Sequence, residues 1–436
     1  MSDLVSRLAL NIYGGLGYVA MPFTGTLLRY RAAKGKEDLN RITERYGYAS
    51  VNTSNRICIW VHAASLGETR AVLPLIRHFV EMRFEVVFTT VTVTAARIAE
   101  IELPKGAIHQ YAPLDMKPFI KRFLKHWKPS MAIFVESELW PTTMMELSRQ
   151  NIPQVLVNAR MSERSFKRWK QFDVVSNALF ENVCLSIAQT NEDAARFKEL
   201  GVHSVTNSGN LKFDSDLPEV DVGQLAKFQE AIGERPVWLA TSTHDREELI
   251  VAKTHILLKR AFPNLLTIIA PRHPHRVNKI IDELTALNLK VGQRSTGALP
   301  AADEDIYIGD TIGELGLFYR LAPCSLIGGS LVPHGGQNPI EPARLGSAII
   351  HGPNVANFAN IYDAIAKQGG CLCVHNSEDL VRGVAALLRN SEETERMAIA
   401  AKFTLSEFSG ALERTSKALM PYLNPLIINQ RLAKDR

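Results

Sequence analysis

The stretch Ile59-Trp60-Val61-His62-Ala63-Ala64-Ser65-Leu66-Gly67-Glu68-Thr69-Arg70 joins an apolar, strand-like run to a short polar turn. A glutamate stands where an amphipathic helix begins. In open α/β sheets ligands collect outside the carboxyl ends of the strands, so a carboxylate on the first helical turn there faces solvent and substrate together. Glu68 is therefore a candidate general base. An acidic residue in a first turn also stabilises the helix dipole without doing chemistry, and the choice between the two roles rests on the rest of the chain.

Outward from this stretch, apolar runs alternate with helical ones. Ile57 to Ala63, Val86 to Thr90, Met131 to Val135, Gln154 to Asn158 and Cys184 to Ala188 read as strands; Thr69 to Val80, Asp115 to His126 and Glu192 to Leu200 read as helices. Such alternation predicts right-handed βαβ units and a doubly wound parallel sheet. The segment from Ser215 to Arg235 is acidic and lacks a long apolar strand, which marks a boundary. A second alternation follows: strand Val237 to Thr241, helix Asp245 to Phe262, strands Leu265 to Ala270 and Asp305 to Ile308, helix Gly313 to Leu321, strand Ser325 to Ile327, helix Pro339 to Leu345 and strand Ala348 to His351. Two domains also suit 436 residues, since single cores stop growing at roughly 250 to 300. The expected division is a segment 1–35, a domain 36–220 and a domain 221–436, with a ligand cleft where the two sheets' carboxyl edges face each other.

The formal net charge of +5 is too mild and dispersed to suggest nucleic acid as a partner. The five cysteines, Cys58, Cys184, Cys324, Cys371 and Cys373, form no CxxC pair and lie in strand-like runs, which predicts a reducing compartment. Cys371 and Cys373 read as strand residues, and no metal is assigned to them. From Leu8 to Leu28 no residue is charged, close to the ~20 residues needed to span a bilayer. Glycines and Pro22 make an imperfect helix of it. Arg29, Arg31, Lys34 and Lys36 follow, which places the body of the protein on the cytoplasmic side. Whether the segment spans the membrane or lies in its interface stays open. The basic residues from Arg29 to Lys36, with Arg41 and Arg45, would suit an anionic lipid phosphate.

Further polar clusters follow strand ends. Glu136-Ser137-Glu138-Leu139-Trp140-Pro141 puts two carboxylates two residues apart, although Glu138 could equally cap the next helix. Asn158-Ala159-Arg160-Met161-Ser162-Glu163 could position a phosphate or neighbouring carboxylates. Lys212, in Ser208-Gly209-Asn210-Leu211-Lys212-Phe213-Asp214, supplies a compact positive charge. In the second half Pro271-Arg272-His273-Pro274-His275 ends a strand. Arg272 is read as an anion clamp and the histidines are not read as metal ligands. Gly309-Asp310-Thr311-Ile312-Gly313-Glu314 is a weaker strand–loop–helix signal for an anion. Gly328-Gly329-Ser330 through Gly335-Gly336-Gln337-Asn338-Pro339-Ile340-Glu341 is the stronger one. Its glycines admit close backbone approach to a ligand, Pro339 suits a helix start, and Glu341 can accept two ribose hydroxyls.

Taken together, these collinear motifs resemble the 3-deoxy-D-manno-octulosonic acid (Kdo) transferase family, inverting glycosyltransferases of the GT-B type. The resemblance runs from the uncharged amino-terminal segment through His62–Glu68, Glu136–Pro141, Asn158–Ser162, Gly209–Asp214, Pro271–Pro274, Gly309–Glu314 and Gly335–Glu341. It implies transfer of Kdo from CMP-Kdo to a lipid A precursor at the cytoplasmic face of the bacterial inner membrane. It implies no cofactor and no metal, because arginine and backbone N–H groups can meet a monophosphate leaving group. It makes Glu68 the proton acceptor and Glu136 and Lys212 transition-state stabilisers. CMP would be held by Pro271 and Arg272, by Ile312, Gly313 and Glu314, and by Asn338, Pro339, Ile340 and Glu341. Gln337 stands where many members carry histidine and Ser137 where many carry threonine. A GT-B enzyme using a UDP-sugar, a sugar-nucleotide epimerase, and a membrane-tethered binding protein without turnover remain as alternatives.

Overall fold

The computed structural model describes residues 13, 15, 17–54, 56–214, 217 and 220–432. It divides into two compact α/β units, residues 1–216 with 408–436, and 217–407. The first holds seven strands: β1 (Cys58–Ala63), β2 (Glu85–Thr90), β3 (Ala107–Tyr111), β4 (Met131–Val135), β5 (Gln154–Ala159), β6 (Val183–Ala188) and β7 (Val205–Asn207). Their order is β3-β2-β1-β4-β5-β6-β7 and every pairing is parallel. The chain therefore reverses direction across the sheet between β1 and β4, the point where doubly wound sheets bind ligands. β1, β2, β4 and β5 are buried along their whole length, as expected of strands covered by helices on both faces.

The second unit repeats the plan with β8 (Val237–Thr243), β9 (Leu266–Pro271), β10 (Val291–Gln293), β11 (Ile306–Ile308), β12 (Cys324–Ile327), β13 (Ala348–His351) and β14 (Cys371–Cys373), in the order β10-β11-β9-β8-β12-β13-β14. Its switch point lies between β8 and β12. Both units are Rossmann-like, and the architecture is of the GT-B type. Strands β3, β7 and β10 escaped the sequence reading, whereas β14 is the strand into which the sequence places Cys371 and Cys373. The three that escaped are edge strands of three to five residues, with little continuous apolar run to reveal them.

The expected domain 221–436 ends early. Helix Ala411–Leu432 packs with the first unit, where Leu419 and Leu423 are fully buried among β-strand residues such as Val61, Ile133 and Val155. Asp214 holds the start of that helix, accepting the backbone N–H groups of Gly410 at 2.8 Å and Leu412 at 2.6 Å.

Of the uncharged run from Leu8 to Leu28, residues 8–12, 14 and 16 lie outside the described residues. Of its described part, Met21–Phe23 is a 3-10 turn leading into helix Thr24–Ala33. Among the described residues no helix is long and apolar enough to cross a membrane. Arg41 and Arg45 are not free for a lipid phosphate. Arg45 is 3 % exposed, pairs with Glu37 at 2.9 Å and donates to the Val91 and Ala112 carbonyls, while Arg41 pairs with Glu44 at 2.9 Å and Glu100 at 2.8 Å. The two arginines rivet the segment before β1 to the strand ends. Cys373 is exposed rather than a buried strand residue, because β14 is an edge strand.

Candidate active site

Glu68 lies where the sequence places it. Ser65 ends the turn after β1 and caps helix Leu66–Glu81 through its hydroxyl, which faces the Glu68 N–H at 3.4 Å. The Glu68 carboxylate turns back: Oε2 accepts the Ala64 N–H at 2.7 Å and Oε1 the Ser65 hydroxyl at 2.8 Å. The arrangement is a variant capping box, and it locks the rotamer. Two effects go beyond capping. Burial raises the Glu68 carboxyl above the ordinary range, and the negative charges of Glu136 and Glu138 raise it further. A buried carboxylate beside like charges is a proton acceptor with its basicity tuned upward.

Glu136 follows β4 directly with φ +58°, a left-handed conformation that costs a non-glycine residue on the order of 1 kcal/mol. The Val157 carbonyl of β5 holds it there through the Glu136 N–H at 3.0 Å. Its carboxylate meets Lys212 Nζ at 2.6 Å. Lys212 belongs to the loop after β7, at the far edge of the sheet. That loop runs back across the strand ends. Asn210 donates to Gln189 beyond β6, the Leu211 N–H donates to Asn158 Oδ1 in β5 at 2.9 Å, and Lys212 Cε then lies 3.8 Å from where a side chain on Gly67 would begin. Asn158, itself fully buried with φ +53°, is thus a loop anchor rather than a phosphate ligand. Glu68, Glu136 and Lys212 are brought together.

In the second unit the named residues gather at the carboxyl ends of β8, β9, β11 and β12. Arg272 follows Pro271 at the end of β9; its N–H donates to Thr243 at 3.0 Å and its exposed guanidinium has no ion pair among the described residues. Ile312 is half exposed and Gly313, at φ +95°, borders open space. The Glu314 carboxylate, by contrast, is taken by Arg294 in a two-bond fork of 2.9 and 2.7 Å, so residues 312–314 offer their backbone. Asn338 Oδ1 accepts the Ile340 N–H at 3.1 Å, and Pro339 precedes helix Ile340–Leu345, with Glu341 in its first turn.

Gly328 has a packing role. A side chain on Gly328 would begin 2.4 Å from the Ser242 carbonyl, so this glycine lets β12's loop pack against the end of β8. The adjacent backbone then surrounds Glu247, a fully buried carboxylate that accepts N–H groups from His244, Gly329, Ser330 and Leu331 at 2.7 to 3.2 Å. Glu247 escaped the sequence reading. Its signal was the pair Glu247-Glu248 opening a helix straight after a strand. His244 stacks on His334 at 4.2 Å and meets Gln337 Nε2 at 3.0 Å. Burial and the surrounding histidines and arginines lower it to about 4.

The family model described as 3-deoxy-D-manno-octulosonic-acid transferase (kdotransferase) matches residues 40–215. A 3-deoxy-D-manno-octulosonic acid transferase of Rickettsia bellii is 37 % identical over 391 residues, covering 88 % of this chain and 92 % of the relative. One of Haemophilus influenzae is 34 % identical over 418 residues, covering 94 % and 98 %. Among solved structures, a glycosyltransferase from Rickettsia africae superposes with a TM-score of 0.56 at 14 % identity, over 86 % of this chain and 99 % of that one, a likeness of fold alone.

Proposed function

Because the chain belongs to the 3-deoxy-D-manno-octulosonic acid (Kdo) transferase family, and is thus a glycosyltransferase, we propose that it moves Kdo from CMP-Kdo to a lipid A precursor with Glu68 as the base. The acceptor hydroxyl attacks the anomeric carbon of Kdo as Glu68 takes its proton, the bond from that carbon to the CMP phosphate oxygen breaks, and CMP leaves with inversion. Lys212, paired with Glu136, offers positive charge beside the base. Arg272, the backbone of Ile312, Gly313 and Glu314, and Asn338, Pro339, Ile340 and Glu341 hold the nucleotide. The observation that carries this reading is the Glu68 carboxylate, fixed by Ala64 and Ser65 and raised by burial beside Glu136, for which a pure binding protein has no use.

The acceptor is a lipid, and the amino-terminal region suits a membrane surface at the cytoplasmic face. Phe23, Leu27 and Tyr30 are 70 %, 52 % and 59 % exposed, beside Arg29 and Lys34. The test is transfer of labelled Kdo from CMP-Kdo to a tetraacylated lipid A precursor in detergent, wild type beside Glu68→Ala. The expected result is product from the wild type, a loss on the order of 10²–10⁴-fold in the variant, and CMP binding that survives in both and exceeds UDP binding. Unchanged transfer by Glu68→Ala overturns the base; preference for UDP overturns the donor.

A further inference from the structure

Four histidines gather on the loops that follow β8, β9 and β12, and nucleotide binding as proposed leaves all four unused. The His244 and His334 rings stack at 4.2 Å and 18°, His273 meets His244 edge-on at 5.8 Å, and His275 lies 5.6 Å from His273. Apart from the contact of His244 Nε2 with Gln337, no ring nitrogen of the four has a hydrogen-bond partner among the described residues. The acids that open the helix after β8 are all engaged. Asp245 pairs with Arg276 at 3.0 Å and Lys279 at 2.8 Å, Glu248 takes Arg276 and the Thr243 hydroxyl at 2.9 Å each, and Glu247 is filled by backbone N–H groups. The exposed guanidinium of Arg272 stands next in sequence to His273. The corner thus offers N–H donors and cationic charge and no free carboxylate from these loops to answer them, which is the footing for an anion.

Gln337 decides which nitrogen of His244 carries the proton. Its amide nitrogen, 3.0 Å from His244 Nε2, can only donate, so Nε2 accepts and the ring proton stands on Nδ1. The amide is held in place. The Gln337 N–H donates to the Gly328 carbonyl at 3.0 Å and its carbonyl accepts the Tyr362 hydroxyl at 3.0 Å. Gly329 leaves room for the pair, because a side chain there would begin 3.2 Å from the His244 ring and 3.4 Å from the Gln337 amide. Burial, then His334, His273, Arg272 and Arg276, keep His244 uncharged at neutral pH. What results is a neutral Nδ1–H donor of fixed tautomer, stacked on His334 and close to the Arg272 charge.

We propose that this histidine corner binds the carboxylate of the donor's sugar acid, with His244 Nδ1 and the His334 ring donating to its oxygens and Gln337 as a positioning residue. The inference rests on the proposed reading of the donor as CMP-Kdo. In a 2-ulosonic acid the carboxylate is attached to the anomeric carbon, which also bears the phosphate ester. A site for it must therefore adjoin the phosphate's, as the histidines adjoin Arg272 through His273. The guanidinium fork suits the phosphate, and the imidazole N–H groups beside it suit the second, smaller anion. A neutral sugar has no group of that charge to offer, so the corner selects an acid sugar over the sugar of an ordinary UDP donor.

The test reads the KM for CMP-Kdo against the inhibition constant of CMP, which has the phosphate and no carboxylate, in wild type, His244→Phe, His244→Asn, His334→Ala and Gln337→Leu. His244→Phe keeps the stacked ring and removes both nitrogens. Its donor KM is expected to rise about 10- to 100-fold, the range for a lost hydrogen bond to a charged group, while CMP inhibits as it does the wild type. His244→Asn, whose amide N–H can stand where Nδ1–H stood, recovers most of that loss. His334→Ala changes an exposed ring that the core does not need, and it too raises donor KM without moving the CMP constant. Gln337→Leu releases Nε2 and gives a smaller rise. An unchanged donor KM in His244→Phe overturns the inference and leaves the transferase reading intact. A CMP constant that rises in step with donor KM also overturns it, since the anion held there is then the phosphate. A wild type that binds CMP and does not use CMP-Kdo overturns the donor reading and the inference with it.

Discussion

Glu68, the proposed base, is a side chain whose burial beside like charges works against the fold's stability at neutral pH. Its carboxyl is raised in the folded protein, so the folded state binds that proton more tightly than the unfolded chain does. The sign follows directly: the contribution is fully present below the unfolded value of about 4.3 and is lost as pH rises through the raised folded value. At neutral pH the buried ionised group is a net cost. Glu68→Gln is therefore expected to melt higher than wild type at pH 7, with the gap closing as pH falls toward 4; scanning calorimetry across that range checks it. A gap that widens on acidification would show a carboxylate stabilised by its surroundings, contrary to a tuned base. Glu68 was legible in the sequence because strand end, turn and helix start are local. The raised basicity was not, since it depends first on burial and then on the charges of Glu136 and Glu138, more than sixty residues away.

At the scale of elements, strand ends do the positioning, and the contacts that set them are long-range. Helix Pro141–Arg149 starts without a side-chain cap of its own; Asp115, in the loop after β3, supplies it, accepting the Thr142 N–H at 3.0 Å and the Thr143 N–H at 2.8 Å. Removing that carboxylate in Asp115→Ala leaves the Thr142 and Thr143 N–H groups unpaired and is expected to cost about 0.5–2 kcal/mol. It should also loosen residues 136–140, so transfer falls by more than stability alone explains. Urea unfolding gives the first number, and faster hydrogen exchange at the Thr142 and Thr143 amides identifies the cause. The glycine-rich loop of the second unit makes the same point in reverse. Its density of glycines reads as room for a ligand, and the structure adds a role that only packing reveals: Gly328 and the backbone after it serve the packing of β12 against β8 and the cradle around Glu247.

At the scale of the whole molecule, the chain leaves the first unit at residue 216 and returns at 408. Asp214 and Leu412, 198 positions apart, are joined by a hydrogen bond, and Ala411, Leu419 and Leu423 are fully buried in a core otherwise built from the first half of the chain. Leu419→Ala should therefore destabilise the first unit by about 2–5 kcal/mol, the usual cost of a cavity at a closed core site. The check is chemical unfolding followed by Trp60, Trp127 and Trp140, all of which lie in that unit. A cost below 1 kcal/mol would mean the helix is an appendage.

The order of apolar runs and polar turns in the sequence is enough to specify two doubly wound α/β units and to point at the loops that carry chemistry. Periodicity and turn composition are local properties, and the strand-to-helix junctions of such sheets are where ligands bind. Short edge strands lack that local signal. Membership of a site is not local either. Lys212 reaches Glu136 only because its loop crosses back over β6, β5 and β4, the carboxyl-terminal helix joins the first unit only through burial of its apolar face, and helix Pro141–Arg149 is capped by Asp115 rather than by Glu138. Each outcome depends on which groups satisfy which buried donors and acceptors, and that is decided when distant segments pack.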